Sequence, residues 1–191
     1  MTVGIILAAG ESVRMGAPKA LLPLGGKSFI RTIIENHFRA GVDRVIVVLG
    51  AQADVLRAEV EPLNVAIAIN KDYQRGQLSS VHAGVKTAVE FAPDAILLHP
   101  VDHPFILSGT IRAMIETFSN APGGIIIPVH KGKRGHPVLF SATLVPDLLA
   151  APHDIGARAV VWNHSADVYE LETDDSGVLK NIDTPEAYEH L

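Results

Sequence analysis

The sequence contains no cysteine. Disulfides, thiolate nucleophiles, zinc–thiolate sites and iron–sulfur clusters are therefore excluded, and the chain is compatible with a reducing compartment. It also lacks any lysine/arginine run long enough to track a nucleic-acid backbone, and its formal net charge is −5. A nucleic-acid partner is not expected. No apolar run approaches the roughly 20 residues that span a bilayer. The apolar start, Val3 to Ala9, is too short for a signal peptide and has no basic segment before it. These absences lead us to expect a cytoplasmic protein without a membrane partner. Internal repeats and low-complexity linkers are missing as well.

What is present is a globular balance. Of the 191 residues, 48% are hydrophobic and 19% charged, which fits one domain over residues 1–191. Short apolar, β-branched runs alternate with segments of helical period. Strands are expected at Val3–Ala8, Arg44–Leu49, Val65–Ile69, Ala95–His99 and Gly124–Pro128, and helices at Phe29–Ala40, Ala53–Val60, Ser79–Phe91 and Gly109–Phe118. Gly41 suits a helix C-terminus and Ser108 an N-cap. Beyond residue 128 the pattern predicts strands His136–Phe140 and Val168–Leu171 and helices Leu144–Leu149 and Ile155–Trp162. A last helix should open at Thr184-Pro185-Glu186. This rhythm predicts an α/β fold, a doubly wound, mostly parallel sheet in three α/β/α layers with right-handed crossovers. Ligands in such sheets sit beyond the carboxyl ends of the strands, so chemistry is sought just after each strand.

After the first strand comes Ala9-Gly10-Glu11-Ser12-Val13-Arg14-Met15-Gly16-Ala17-Pro18-Lys19. Small residues let backbone N–H groups approach an anion closely. Arg14 can fork onto phosphate oxygens and Lys19 supply a point charge. The same stretch also reads as an ordinary glycine-rich turn with solvated basic residues. It is not a P-loop: Gly26-Lys27-Ser28 lacks the upstream glycine spacing.

The run Leu7-Ala8-Ala9-Gly10-x-Ser12-x-Arg14-Met15-Gly16-x-Pro18-Lys19-x-Leu21-Leu22-Pro23 resembles the signature of the MobA/MocA-like nucleotidyltransferases. These enzymes couple a nucleoside triphosphate to a phosphorylated acceptor and release pyrophosphate. Ala-Ala-Gly, in place of Ala-Gly-Gly, resembles the cytidylyltransferase branch acting on molybdopterin. The resemblance implies a Rossmann-like fold, with CTP favoured and GTP as the alternative. It places Leu7, Ala8, Ala9, Gly10, Arg14 and Lys19 on the nucleotide, with Lys19, Arg14 and Asp102 as the catalytic set.

Three further segments carry candidate residues. After the third strand, Gly76, Gln77, Ser79 and Ser80 open a helix with donors and acceptors that suit a nucleobase edge, although the serines could equally be helix caps. The family places a similar Gly-x-x-x-Ser-x-x-x-Gly segment around the base, which favours Gly76, Gln77 and Ser80. After Ala95–His99 comes Pro100-Val101-Asp102-His103-Pro104, where Asp102 is a carboxylate of the kind Mg²⁺ prefers; a turn-capping role is the alternative. It resembles the family's metal aspartate, with Val101 where many relatives have glycine. Asn181-Ile182-Asp183-Thr184-Pro185-Glu186 looks like the family's late Asp-x-Asp-Thr-Pro-Glu-Asp segment. Asp183 is then a second metal ligand, with Asn181 as a neutral alternative, unless Asp183 and Thr184 only cap the last helix. Mg²⁺ is the expected cofactor and Mn²⁺ a substitute.

On the acceptor side, Gly135-His136-Pro137-Val138-Leu139-Phe140 resembles a segment of the molybdopterin-acting branch. Gly135, His136 and Pro137 are candidate acceptor contacts beside the cations Lys131, Lys133 and Arg134; a basic surface turn is the plain alternative. Residues 1–120 would then form the nucleotide half and 121–191 the acceptor half. The other histidines show no metal-ligand spacing, and Trp162 is expected in the core. A molybdenum hydroxylase apoenzyme is a candidate partner. Two other functions stay open: transfer to a sugar phosphate or other phosphorylated metabolite, and non-catalytic delivery of the cofactor.

Overall fold

A computed structural model describes residues 1–120 and 123–189, with Arg14 represented by its backbone alone. Strand β1 (Thr2–Ala8) runs entirely buried. A short hairpin, β2 (Pro23–Leu24) and β3 (Lys27–Ser28), follows the first loop. Then come α1 (Phe29–Ala40), β4 (Arg44–Leu49), α2 (Ala53–Val60), β5 (Ala66–Ile69), α3 (Gln77–Ala88) and β6 (Ala95–Pro100). The remainder is α4 (Ser108–Asn120), β7 (Ile125–His130), β8 (Lys133–Arg134), β9 (Val138–Ser141), α5 (Val145–Ala150), α6 (Arg158–Asn163), β10 (Val168–Glu172) and α7 (Pro185–Glu189).

The main sheet has eight strands, ordered β10-β7-β9-β6-β1-β4-β5, with β8 paired to β7. β1 pairs in parallel with β4 and β6, and β4 with β5. Only β8 and β9 run against their neighbours. From β1 the chain moves outward to β4 and β5, then returns to lay β6 on the other side of β1. The strand order therefore reverses between β1 and β6, and a crevice opens at their carboxyl ends.

Alternation along β1 sends side chains to opposite faces. Ile6 and Ala8 join a cluster with Ile30, Ile33, Leu56 and Ile111 from α1, α2 and α4. Ile5 and Leu7 pack with Leu78, Val81, Val85, Leu148 and Val160 from α3, α5 and α6. The expected three-layer, mostly parallel α/β sheet is what forms.

Several boundaries differ from expectation for local reasons. β9 begins at Val138, because Pro137 has no N–H for the ladder and the His136 N–H goes to the Val178 carbonyl instead, at 2.9 Å. α3 opens at Gln77, two residues early, and becomes a 3₁₀ turn at Val89–Phe91. α6 begins only at Arg158, after Gly156 turns the chain with φ 75°. Ser108 is not the cap of α4 but its first residue; the carboxylate of Asp175 does the capping from far along the chain. It accepts from the Leu107 N–H at 2.8 Å and the Thr110 hydroxyl at 2.7 Å. Thr184 does cap α7, accepting from the Ala187 N–H at 3.3 Å. Among the described residues, no helix is long and apolar enough to cross a membrane.

α3 lies close to the sheet because Gly84 has no side chain. A Cβ there would stand 2.4 Å from Ile5 Cγ2 and 3.0 Å from Val48 Cγ2. Gly84→Ala should force α3 away from β1 and β4 and destabilise the fold by about 1–3 kcal/mol, as core overpacking does. Urea unfolding measures this, and an unchanged midpoint would contradict the contact.

Candidate active site

A cavity of about 370 Å³ occupies the crevice at the β1–β6 reversal. Leu7, Ala8, Ala9, Gly10 and Lys19 from the first loop line it, as do Gly76, Gln77 and Ser80 from the start of α3, and both Asp102 and Asp183. Of the nucleotide and metal candidates named from the sequence, Asn181 and Ser79 do not border this space, and the side chain of Arg14 lies outside the described residues; the others all line it. Ser12, Gln52, Tyr73 and Val101 also border it.

Local chemistry explains the placement. The first loop is tied down at both ends. The Ala51 N–H donates to the Ala9 carbonyl at 3.1 Å, and Ser12 Oγ accepts from the Lys19 N–H at 3.1 Å. A Cβ on Gly10 would meet nothing within 4 Å, so that glycine answers no packing demand of the protein and leaves room beside the cavity. Gly76, at φ 92° and ψ −179°, holds a backbone shape that side-chain-bearing residues rarely adopt. Asn70 shapes the start of α3: its amide donates to Ser79 Oγ at 2.8 Å and Ser80 Oγ at 3.0 Å, and its oxygen accepts from the Asp72 N–H at 2.9 Å. Ser79 in turn donates to the Gly76 carbonyl at 2.7 Å. Neither serine is a simple N-cap.

The charged centre is drawn from three distant segments. Lys19 Nζ bonds Asp183 Oδ1 at 2.5 Å, with the lysine side chain 12% exposed. Asp183 Oδ2 accepts from Asn181 Nδ2 at 2.7 Å. The Ile182 N–H donates to the Asp102 carbonyl at 2.8 Å, pinning the tail segment against the turn after β6. Burial pushes the Asp102 carboxyl above its ordinary range; Lys19 pulls it back and Asp183 adds to the rise. Among the described residues, no donor reaches Asp102 Oδ1, although the atom is buried.

An anionic oxygen in that position fits a divalent cation held by two carboxylates and ligand phosphates, which is how Mg²⁺ is commonly bound. No group of three or more histidine, cysteine or carboxylate side chains suits a metal among the described residues, so the protein alone offers no closed cage.

The turn carrying Asp102 is also held from below. His99 Nε2 lies 2.9 Å from the His103 carbonyl, which can only accept, so this nitrogen carries the proton. His99 Nδ1 then accepts from His37 Nε2 at 2.9 Å. Both rings are fully buried. Burial holds His37 down at about 3 and His99 well below its ordinary value, with His37 adding to the latter. Gly4 makes room for this pair, since a Cβ there would come within 2.3 Å of His37 Nδ1. The His103 and His136 rings pack against each other with centres 4.6 Å apart and planes tilted by 57°, and burial lowers both to about 4.

Gly135 and His136 line a second cavity of about 600 Å³, which shares Leu7, Gln77 and Pro100 with the first. Pro137 does not border it. Gly135 has a packing reason of its own, because a Cβ would stand 2.5 Å from the Val178 carbonyl oxygen. Lys131 and Lys133 border neither cavity, and Arg134 pairs with Glu170 at 2.6 Å. Trp162 is not in the core: it is 56% exposed and lines the second cavity with Arg158. The turn at Gly156 rotates α6 so that Arg158 and Trp162, one helical turn apart, border that space.

The MobA-like NTP transferase domain model matches residues 4–168. The chain belongs to this family. It is 30% identical over 190 residues to the molybdenum cofactor cytidylyltransferase of Escherichia coli (strain K12), covering 96% of this chain and 92% of that one. It is 31% identical over 199 residues to the nicotine blue oxidoreductase of Paenarthrobacter nicotinovorans, covering 98% and 95%. Among solved structures, the manganese complex of Rv0371c from Mycobacterium tuberculosis H37Rv superposes with a TM-score of 0.77 at 26% identity, over all of this chain and 97% of the other. The chain is accordingly a nucleotidyltransferase of a kind that uses divalent metals.

The buried histidines set a pH limit. Unfolding frees His37 and His99 to take up protons below about 6.5, whereas the folded rings stay neutral, His37 down to about 3. Stability should be level above pH 7 and fall as pH drops below 6.5, by up to ~1.4 kcal/mol per pH unit for each ring. Urea midpoints at pH 8, 7, 6 and 5 report this. Equal midpoints at pH 7 and 5 would contradict a neutral pair.

Proposed function

We propose that this protein transfers CMP from CTP to the phosphate of a molybdopterin-type acceptor and releases pyrophosphate, with Mg²⁺ held by Asp102 and Asp183. The observation that carries the reading is the meeting of Lys19, Asp102 and Asp183 in one cleft lined by the strand-end loop. The cytidylyltransferase relative, the Ala8-Ala9-Gly10 form of the loop and the Gly135-His136-Pro137 segment favour CTP and this acceptor.

In the reaction, an acceptor phosphate oxygen attacks the α-phosphorus in line and forms the new P–O bond. The bond from that phosphorus to the α–β bridging oxygen breaks, and its electron pair leaves on pyrophosphate. A phosphate nucleophile is already anionic at neutral pH, so no protein base has to remove a proton from it. Backbone N–H groups of Ala8 to Gly10 and the Arg14 and Lys19 cations bind the triphosphate and align it. Lys19 neutralises charge that grows on the phosphate during attack. Ser80, whose oxygen is occupied by Asn70, keeps its own proton for the base, beside Gln77. Bound divalent metal would supply Lewis-acid neutralisation of the phosphates. Residues up to about 120 hold mainly the nucleotide, and Gly135 and His136 face the acceptor.

Lys19→Ala should lower kcat by about 10²–10³-fold, the scale of removing one preorganised charge-stabilising group, with little loss of thermal stability. Steady-state pyrophosphate release with a melting curve tests both, and unaltered turnover would remove Lys19 from the chemistry. Calorimetry with a nucleotide panel and Mg²⁺ should rank CTP first. Asp102→Asn should weaken Mn²⁺ binding in the presence of CTP by tenfold or more, read by electron paramagnetic resonance; wild-type affinity would overturn the metal assignment.

A further inference from the structure

The second cavity has a composition the nucleotide does not explain. Its floor is apolar: Val81, Leu98, Ile127 and Phe140 line it, and all four are buried. A polyol laid flat on those four side chains would give up water from the hydroxyls facing them without finding partners there, which costs free energy for each unsatisfied group. A flat heteroaromatic ring can cover that floor with its apolar face and keep its polar edge for the polar lining, which includes Gln77, His153 and Asp154.

The wall holds Arg158 and Trp162, which stand four residues apart on α6 and so lie side by side. Among the described residues, no carboxylate lies within ion-pair distance of Arg158, whereas Arg134, the other guanidinium on the cavity, is already paired with Glu170. Arg158 borders the same cavity as His136, whose ring packs at a tilt against that of His103, the residue after Asp102. Trp162, one turn farther along α6, borders the cavity and is more than half exposed to solvent. Exposing the chain's single tryptophan leaves its large apolar face open for a ligand to cover.

We propose that Arg158 and Trp162 are the acceptor's recognition pair, the guanidinium taking its phosphate monoester and the indole stacking on a flat heteroaromatic body. The order along α6 sets the acceptor's polarity, phosphate toward Asp102 and ring toward Trp162. An arginine fork matches a phosphate with two parallel hydrogen bonds. Selection against sugar phosphates then comes from the apolar floor, because both classes offer the phosphate equally to Arg158. This assignment rests on the nucleotidyl-transfer reading of the adjoining cleft.

The lone tryptophan supplies a readout that needs no turnover. Indole fluorescence of the intact protein is titrated with 6-hydroxymethylpterin monophosphate, with 6-hydroxymethylpterin and with glucose 1-phosphate, while calorimetry follows CTP with Mg²⁺ separately. We expect saturable quenching by the pterin phosphate, at a Kd at least tenfold below that of either other probe. Arg158→Gln should raise the Kd of the phosphorylated pterin about tenfold and leave the unphosphorylated one within twofold. Trp162→Leu, read by calorimetry, should weaken both pterins. Both side chains are exposed, so circular dichroism should show intact folds. Equal affinity for glucose 1-phosphate, no saturable quenching, or an indifferent Arg158→Gln would each overturn the pair. If CTP binds under those outcomes, only this assignment falls; if CTP fails as well, the reading of the whole cleft falls with it.

Discussion

A carboxylate kept in a poorly solvated crevice, next to a lysine already engaged by a second carboxylate, is the constraint around which the strand-end loops are arranged. Asp102 is buried, is pushed toward its neutral form by that burial, and is held against the trend by Lys19. Removing one partner of such a set leaves an uncompensated charge in a low-dielectric place. The surrounding backbone is correspondingly fixed. Ile182 holds the Asp102 carbonyl, His99 holds that of His103, and Ser12 holds the Lys19 amide.

The tail segment from Asp175 to Asp183 does more of this work than its irregular sequence suggests. Asp175 caps α4, Val178 receives the His136 N–H, Ile182 ties the Asp102 turn, and Asp183 meets Lys19 across 164 positions of chain. These are contacts of one strand-end region with another. They make the Gly135-His136 turn, the Asp102 turn and the first loop mechanically continuous.

The sheet and its helices were legible because their signals are local. Arg44–Leu49, Phe29–Ala40 and Ala53–Val60 match the periodic runs residue for residue. The first loop was legible because Leu7 to Pro23 carries a long family pattern. Non-local features were hidden. Nothing in the vicinity of Ser108 signals that Asp175 caps α4, and nothing near residue 138 signals that β9 runs antiparallel between β6 and β7. Trp162 sits on an apolar helical stripe, and only the turn at Gly156 brings it to a cavity instead of the core. The histidines at 37 and 99 look unrelated in the sequence; strand pairing and Gly4 bring their rings together. Asn70, which holds both serines at the start of α3, could have been noticed as a polar residue closing a strand with an apolar run before it.

The close seating of α3 has a consequence for how the lining of the cavity can evolve. Because Gly84 seats the helix against β1 and β4, and Leu78 and Val81 pack into the same core, its first turn is anchored on the buried strands. Gln77 and Ser80 therefore behave as a fixed template and not as an adjustable gripper. A change in what this end of the cavity prefers must come by exchanging the side chains on that template, and it can do so without touching the first loop.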